Sequence, residues 1–164
     1  MTYSYTIMPS PLGELTLVAR NNALAAILWE NDRPGRVKLG GLQRDNTHPV
    51  LQKTQAQLKE YFAGKRDCFE LELDMQGTPF QQKVWALLLT IPFGQTRSYR
   101  QLAELAGNPA ASRAVGAAVG RNPVSIVTPC HRVVGSSGKL TGFAGGLDAK
   151  RTLLQLESRA MPAQ

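Results

Sequence analysis

The sequence predicts an α+β chain, and three observations lead there. Short strand-like runs fill the first half, apolar residues at helical spacing behind capping residues fill the second, and charge divides at the same place. Residues 1–75 carry nine Lys/Arg and nine Asp/Glu, whereas residues 76–164 carry ten and three, so the net charge of +7 lies wholly in the second half. Residues 74–77 mark the junction, giving an N-terminal unit of 1–75 and a C-terminal unit of 76–164. A basic unit beside a neutral one suits a polyanion, most simply nucleic acid.

In the first unit, residues 2–8 and 12–20 alternate or run apolar like strands around Pro9-Ser10-Pro11, and Asn21-Asn22 offers a turn into 24–29. The expectation is an antiparallel meander. Residues 33–46 are polar and glycine-rich and read as a loop. Leu51, Leu58, Tyr61 and Phe62 give 49–62 a helical spacing, with Gly64 as its stop. Cys68 then precedes an alternating strand, Phe69, Leu71 and Leu73, with Glu70 and Glu72 facing away, and reads as a structural or bystander thiol.

The second unit opens with Thr78-Pro79-Phe80-Gln81, an N-cap, a proline at the first helical position and a glutamine able to close a capping box. Val84, Trp85, Leu88 and Leu89 line one face before Pro92-Phe93-Gly94 ends the helix. Ser98-Tyr99-Arg100-Gln101 repeats the box for a helix running to Gly107, and Asn108-Pro109 starts a third over 110–121. Two helices joined so tightly suggest a helix-turn-helix, with an ordinary helical hairpin as the alternative. The third is nearly all Ala, Gly, Ser and Val with Arg113 and Arg121, a surface slim enough for a minor groove about 6 Å wide. Residues 124–128 read as a short buried strand that Pro129 ends. A turn at 135–138, a bent loop at 141–146 and a helix over 147–159 complete the chain.

Chemistry concentrates at Pro129-Cys130-His131-Arg132, where a potential nucleophile stands beside a potential base. A thiol reacts as thiolate, and an unperturbed one is mostly protonated at neutral pH, so an adjacent proton acceptor matters. Inert packing is the competing reading of a buried cysteine. Glu157 is a carboxylate among leucines near a helix C-terminus, where the dipole disfavours it. It is either a solvent-facing glutamate or the group that orients His131. The two cysteines and two histidines show no metal-ligand spacing, so no protein metal site is expected. The opening residues lack the pattern of a secretory leader and no apolar run approaches a membrane span, so a cytoplasmic protein without membrane contact is expected.

Taken together, Pro129-Cys130-His131-Arg132-Val133-Val134-Gly135, Gly142-Phe143-Ala144-Gly145-Gly146-Leu147 and Lys150-Arg151 to Glu157 resemble the O6-alkylguanine-DNA alkyltransferases, in particular the single-chain bacterial form. The likeness extends upstream through Arg113-Ala114-Val115-Gly116, Asn122-Pro123-Val124, Ser98-Tyr99 with Gln101-Leu102-Ala103, and Phe80-Gln81 with Val84-Trp85. It covers residues 78–157 in order and is looser before them.

The resemblance implies a ribonuclease H-like N-terminal domain, built from an antiparallel sheet with a helix. It also implies a C-terminal helical domain with a winged helix-turn-helix-like motif that binds the minor groove of double-stranded DNA and flips the damaged nucleotide out. Cys130 matches the alkyl acceptor, His131 the base acting through a water, Glu157 its orienting carboxylate and Asn122 the support of the active-site turn. Arg113 matches the arginine that fills the vacated stack, and Tyr99 the tyrosine beside the flipped nucleotide. Arg100, Asn108 and Ser136 fall at DNA-contacting positions, and the carbonyls of Cys130 and Val133 are expected to read the guanine amine.

The implied activity is direct-reversal repair of O6-alkylguanine, with O4-alkylthymine as a further substrate, by one irreversible transfer per molecule without cofactor. The protein is expected to be a monomer when free. Two departures stand out. Phe143 and Ala144 replace Tyr and Ser beside the O6 pocket of some relatives, and Gly120-Arg121 reverses their Arg-Gly order. Other classes make distinct demands. A damage sensor of the related kind lacks the reactive cysteine, a DNA-binding regulator of the adaptive-response type needs a further N-terminal module that the early first strand leaves no room for, and a thiol hydrolase has no use for the arginine-bearing helix.

Overall fold

The computed structural model describes residues 2–160; residue 1 and residues 161–164, the outermost parts of the two expected units, lie outside it. Three strands form the expected meander: β1 (Tyr3–Met8), β2 (Leu15–Arg20) and β3 (Ala23–Trp29), each antiparallel to the next. A fourth, β4 (Leu42–Arg44), lies in the segment read as a loop and runs parallel to β1, so the sheet is mixed, in order β3-β2-β1-β4. All three β4 residues are exposed, which is why no apolar alternation announced it. Helix α1 (Pro49–Phe62) covers one face through Leu51, Leu58 and Tyr61, while Val37 and Leu39 pack on the other, beside Val18 and Ala26.

The strand expected over Phe69, Leu71 and Leu73 does not form. Only Leu73 bridges β3, at Leu24. The Gln57 side chain takes both backbone groups of Glu70, donating to its carbonyl at 3.2 Å and accepting from its amide at 2.9 Å, so this extended segment is tied to a helix rather than to a strand.

Both capping boxes are present, Thr78 with Gln81 at the start of α2 (Pro79–Leu88) and Ser98 with Gln101 at the start of α3 (Tyr99–Leu105). Gly107, at φ 92°, turns the chain out of α3 in the left-handed conformation that glycine takes without steric cost. The Gly107 amide donates to Glu104 and the Asn108 amide to Ala103, the paired bonds of a Schellman stop. A 3-10 turn at Pro109–Ala111 leads into α4 (Ser112–Gly120), so the third helix begins two residues later than the sequence suggested. Strands β5 (Arg97–Ser98) and β6 (Val133–Val134) pair parallel, and α5 (Leu147–Ala160) closes the chain.

Two clusters make most of the core. One gathers α2, α3 and α4 around Trp85 and includes Cys130 and Val133. The other joins the sheet and α1 to Val124, Ile126, Val127, Ala149 and Leu153 from the second half. The segment carrying Cys130 therefore runs along the seam between them. Among the described residues no helix is long and apolar enough to cross a membrane.

Candidate active site

Residues 124–128 are buried, as their composition demands, but they form a tight turn rather than a strand. The Thr128 amide donates to Val124 at 2.9 Å and the Val127 amide to Ser125, also at 2.9 Å. Asn122, 0 % exposed, holds the turn from inside: its Nδ2 donates to the Thr128 carbonyl at 2.8 Å and its Oδ1 accepts from the Val124 amide at 3.0 Å. Ile126 sits at φ 75°, where a β-branched residue is strained. A strand would have bonded along its length to a neighbouring strand; this segment makes a single bridge, Val124 to Ile27 of β3, and its remaining backbone bonds stay within the turn or go to Asn122 and Cys130. Cys130 consequently opens a buried 3-10 turn, Cys130–Arg132, instead of capping a strand end.

The thiol is buried and free of any disulfide. Burial pushes its pKa up, while the Asn122 and Ser125 side chains and the charges of Arg36 and Lys150 pull it down. His131, 0 % exposed, places Nε2 2.6 Å from Oε2 of Glu157. Its Nδ1 is buried and makes no hydrogen bond among the described residues. Glu157 is thus no solvent-facing glutamate: it is 1 % exposed and holds His131 from α5.

Burial alone would raise the Glu157 pKa, but donors from His131 and Arg132 overcome it and hold the carboxyl at about 2. Burial lowers the pKa of His131 despite that neighbour. The consistent state is a carboxylate accepting Nε2–H from a neutral imidazole, which leaves Nδ1 as the lone-pair nitrogen.

Three further groups at this centre carried no sequence signal of their role. Arg132 grips both oxygens of Glu157, at 2.8 and 2.9 Å, and donates to the Ile91 carbonyl. Tyr61, read as core packing, donates its hydroxyl to Glu157 at 2.7 Å. Arg36, from the polar loop, donates to the carbonyls of Gly120 and Asn122 and pairs with Asp32, tying the N-terminal unit to the active-site turn. Lys150 was visible only as part of a motif. It is 1 % exposed and donates to the Thr141 carbonyl at 3.3 Å, its pKa lowered by burial.

The remaining predicted residues lie on two sides of this centre. Tyr99 is half-buried, with its hydroxyl 2.8 Å from Thr141 Oγ1. Phe143 packs edge-on to Trp29 at 5.4 Å, and a Cβ on Gly145 would come within 2.6 Å of that indole, so glycine is required there. Ala144 is half-buried beside them. The Cys130 carbonyl already accepts from the Val133 amide, leaving its second lone pair open. Arg100, Asn108, Arg113 and Ser136 are all exposed. Arg100 pairs with Glu104 at 3.4 Å and Asn108 caps the 3-10 turn, whereas Arg113 makes no ion pair or side-chain hydrogen bond among the described residues. Nor do the described residues contain a cluster of three His, Cys, Asp or Glu able to hold a metal ion.

This site lies in a segment with clear relatives. The model of the 6-O-methylguanine DNA methyltransferase ribonuclease-like domain matches residues 3–75, and that of the DNA binding domain of the same proteins matches residues 79–159. The chain belongs to the 6-O-methylguanine DNA methyltransferase family. Among its members, the methylated-DNA–protein-cysteine methyltransferase of Mycolicibacterium paratuberculosis is 46% identical over 159 residues, covering 97% of this chain and 94% of the relative. The Methanosarcina acetivorans protein of that name is 42% identical over 153 residues, covering 93% and 97%. The crystal structure of Mycobacterium tuberculosis OGT in complex with DNA superposes with a TM-score of 0.87 at 44% identity, covering 99% of this chain and 96% of that one. For a methyltransferase of this family the α+β order of a mixed sheet followed by a helical half is the family fold.

Proposed function

We propose that this protein is a methylated-DNA–protein-cysteine methyltransferase that repairs O6-alkylguanine by moving the alkyl group to its own Cys130. One observation carries the reading: the bond of 2.6 Å between His131 and Glu157 turns the unprotonated Nδ1 of a buried imidazole toward proton-acceptor duty, one residue from a buried free thiol. Relatives of that name align along nearly the whole chain.

The thiol proton passes through a water to His131 Nδ1, and Glu157 holds the imidazolium that results. Cys130 sulfur attacks the alkyl carbon, a C–S bond forms as the C–O6 bond breaks, and guanine leaves with the bonding pair. Tyr99 exchanges Thr141 for guanine N3 and donates there, stabilising the leaving base. The carbonyls of Cys130 and Val133 read the exocyclic amine, and Asn122 keeps the turn in register. The product is a thioether, so each molecule reacts once and no cofactor takes part. O4-alkylthymine is a second substrate by the same displacement.

DNA approaches from the side of α3 and α4. Arg113 stands exposed at the start of a helix whose outward residues, Ala114 and Ala117, are small enough for the minor groove. It enters the stack as the damaged nucleotide flips out, at an extrusion cost of a few kcal/mol that is lowest for a badly paired base. Arg100, Asn108 and Ser136 reach the backbone around it. Phe143 and Ala144 line the O6 side of the pocket without hydroxyl groups. The protein is a cytoplasmic monomer until it meets DNA, with residues 1–75 framing the active site and residues 76–164 carrying it.

The deciding experiment is intact and peptide mass after mixing the protein with duplex DNA bearing one O6-methylguanine, beside an undamaged control. One methyl per chain, mapped to Cys130 and saturating there, is expected. Lesion binding without a mass change would make the protein a damage sensor, and neither binding nor mass change would return the thiol-hydrolase reading.

A further inference from the structure

Tyr61 lies on α1, in the half of the chain that carries none of the predicted catalytic residues, yet it is 0 % exposed and its hydroxyl lies 2.7 Å from Glu157. Its ring is fixed by Phe62, Phe69 and Phe93, with centroids 5.5, 5.4 and 6.2 Å away. Burial and the adjacent carboxylate push the phenol pKa upward, so the hydroxyl stays a donor throughout the working range. It donates to Oε2, the same oxygen that holds His131.

We propose that Tyr61 is a positioning residue for alkyl transfer, its hydroxyl tempering the Glu157 oxygen that grips His131 so that Nδ1 remains free to take the thiol proton. The proposal rests on the repair reading above. Oε2 accepts from Tyr61, His131 and Arg132, and Oε1 from Arg132 and, at 3.4 Å, from the Gly94 amide. A carboxylate offers about four lone-pair sites, so these donors share a limited charge. Each one on Oε2 reduces the pull on the imidazole.

Removing the Tyr61 hydroxyl concentrates charge on Oε2, favours imidazolium over imidazole and places a proton on Nδ1 at pH values where the native site has none. The other charges facing His131 are Arg132 on its own turn and Lys150 on α5, both of which oppose its protonation; the segment before β5 contributes only the Gly94 amide. Tyr61 is thus the one direct donor to this carboxylate from the N-terminal half among the described residues.

The test is Tyr61→Phe in the full chain, which keeps the ring and its aromatic neighbours. Single-turnover transfer from O6-methylguanine duplex is measured across pH, together with affinity for undamaged duplex. At neutral pH the variant is expected to transfer about tenfold to a hundredfold more slowly, the scale of one hydrogen bond to a charged group. The acid limb of its profile moves to higher pH, the rate recovers on the alkaline side, and DNA affinity is unchanged.

A lower melting temperature with an unshifted profile would overturn the proposal, as would a native rate. A second reading comes from ¹⁵N titration of His131 in both proteins, made simple by His48 being the only other histidine. Its pKa is expected to rise in the variant, and an unchanged value overturns the proposal. If the native protein itself takes up no methyl group, the repair reading falls instead, so the two failures are distinguishable.

Discussion

Glu157 receives hydrogen bonds from four residues, Tyr61, Gly94, His131 and Arg132, and it is the residue on which the site's stability and chemistry meet. Replacing it by Gln, of the same shape, leaves the buried Arg132 guanidinium without its counter-charge. Breaking a buried pair in this way costs about 3–5 kcal/mol, so Glu157→Gln is expected to lower the urea midpoint sharply and to abolish most methyl transfer. The pH dependence has a definite sign. Glu157 is held at about 2 against an ordinary 4.5, so its contribution is complete above pH 4.5 and is lost as pH falls toward 2. His131 is also lowered, from an ordinary 6.5, so the unfolded chain binds its proton first and this contribution is lost as pH drops below 6.5. Stability should therefore fall continuously below pH 6.5 in the native protein, and His131→Asn should flatten the upper part of that fall, read from denaturant midpoints at successive pH values. The adjacency of Cys130 and His131 was legible in the sequence because neighbours in the chain are neighbours in space. Glu157 was legible from its surroundings as an oddity and from the family resemblance as the carboxylate that orients His131, and Tyr61 not at all, since a tyrosine on an apolar helix face looks like packing until its hydroxyl is given a partner.

At the scale of elements, what the sequence disclosed was local. Thr78 with Gln81 and Ser98 with Gln101 announce their helices because both partners of each capping box lie within four residues. The turn at 124–128 was misread for the same reason in reverse: Val124, Ile126 and Val127 are buried by contact with the sheet and α1, so their apolar character carried no information about hydrogen bonding. Strand β4 escaped because an exposed edge needs no apolar side, and the Phe69–Leu73 stretch misled because a glutamine side chain replaced its strand partner. The turn's dependence on one residue makes it testable. Asn122→Ala removes two buried hydrogen bonds and is expected to cost about 2–6 kcal/mol, since each backbone group left without a partner costs about 1–3 kcal/mol. In the variant Cys130 should also react faster with a small thiol reagent while transferring methyl more slowly. A variant as stable as the native protein, with an equally protected thiol, would show that the fold and not Asn122 holds the turn.

Across the whole molecule, the division of charge was legible and the division of packing was not. Net positive charge confined to residues 76–164 marks the half that bears the exposed Arg100 and Arg113, because charge is a property of composition. The core respects no such border: Val124, Ile126, Val127, Ala149 and Leu153 from the second half pack with Leu17, Leu58 and Trp29 from the first. Arg36 and Tyr61 cross the same seam by hydrogen bonds, one to the carbonyl of Asn122 and the other to Glu157. Contacts so interlocked leave neither half a complete hydrophobic surface of its own, so the two are expected to unfold in one cooperative step. The chain carries its own reporters, Trp29 at the end of β3 and Trp85 in α2, both buried and one in each half. Trp85→Phe leaves fluorescence from the first, and Trp29→Phe leaves it from the second. Within each variant, the midpoint seen by the remaining tryptophan should coincide with that from far-ultraviolet circular dichroism, whatever the substitution does to stability. Separate transitions within one variant would mean that the N-terminal half stands apart. A single transition makes the reactive cysteine as stable as the sheet beneath it, so a core substitution in the first half, such as Leu58→Ala, should lower repair capacity on heating in step with the loss of global stability.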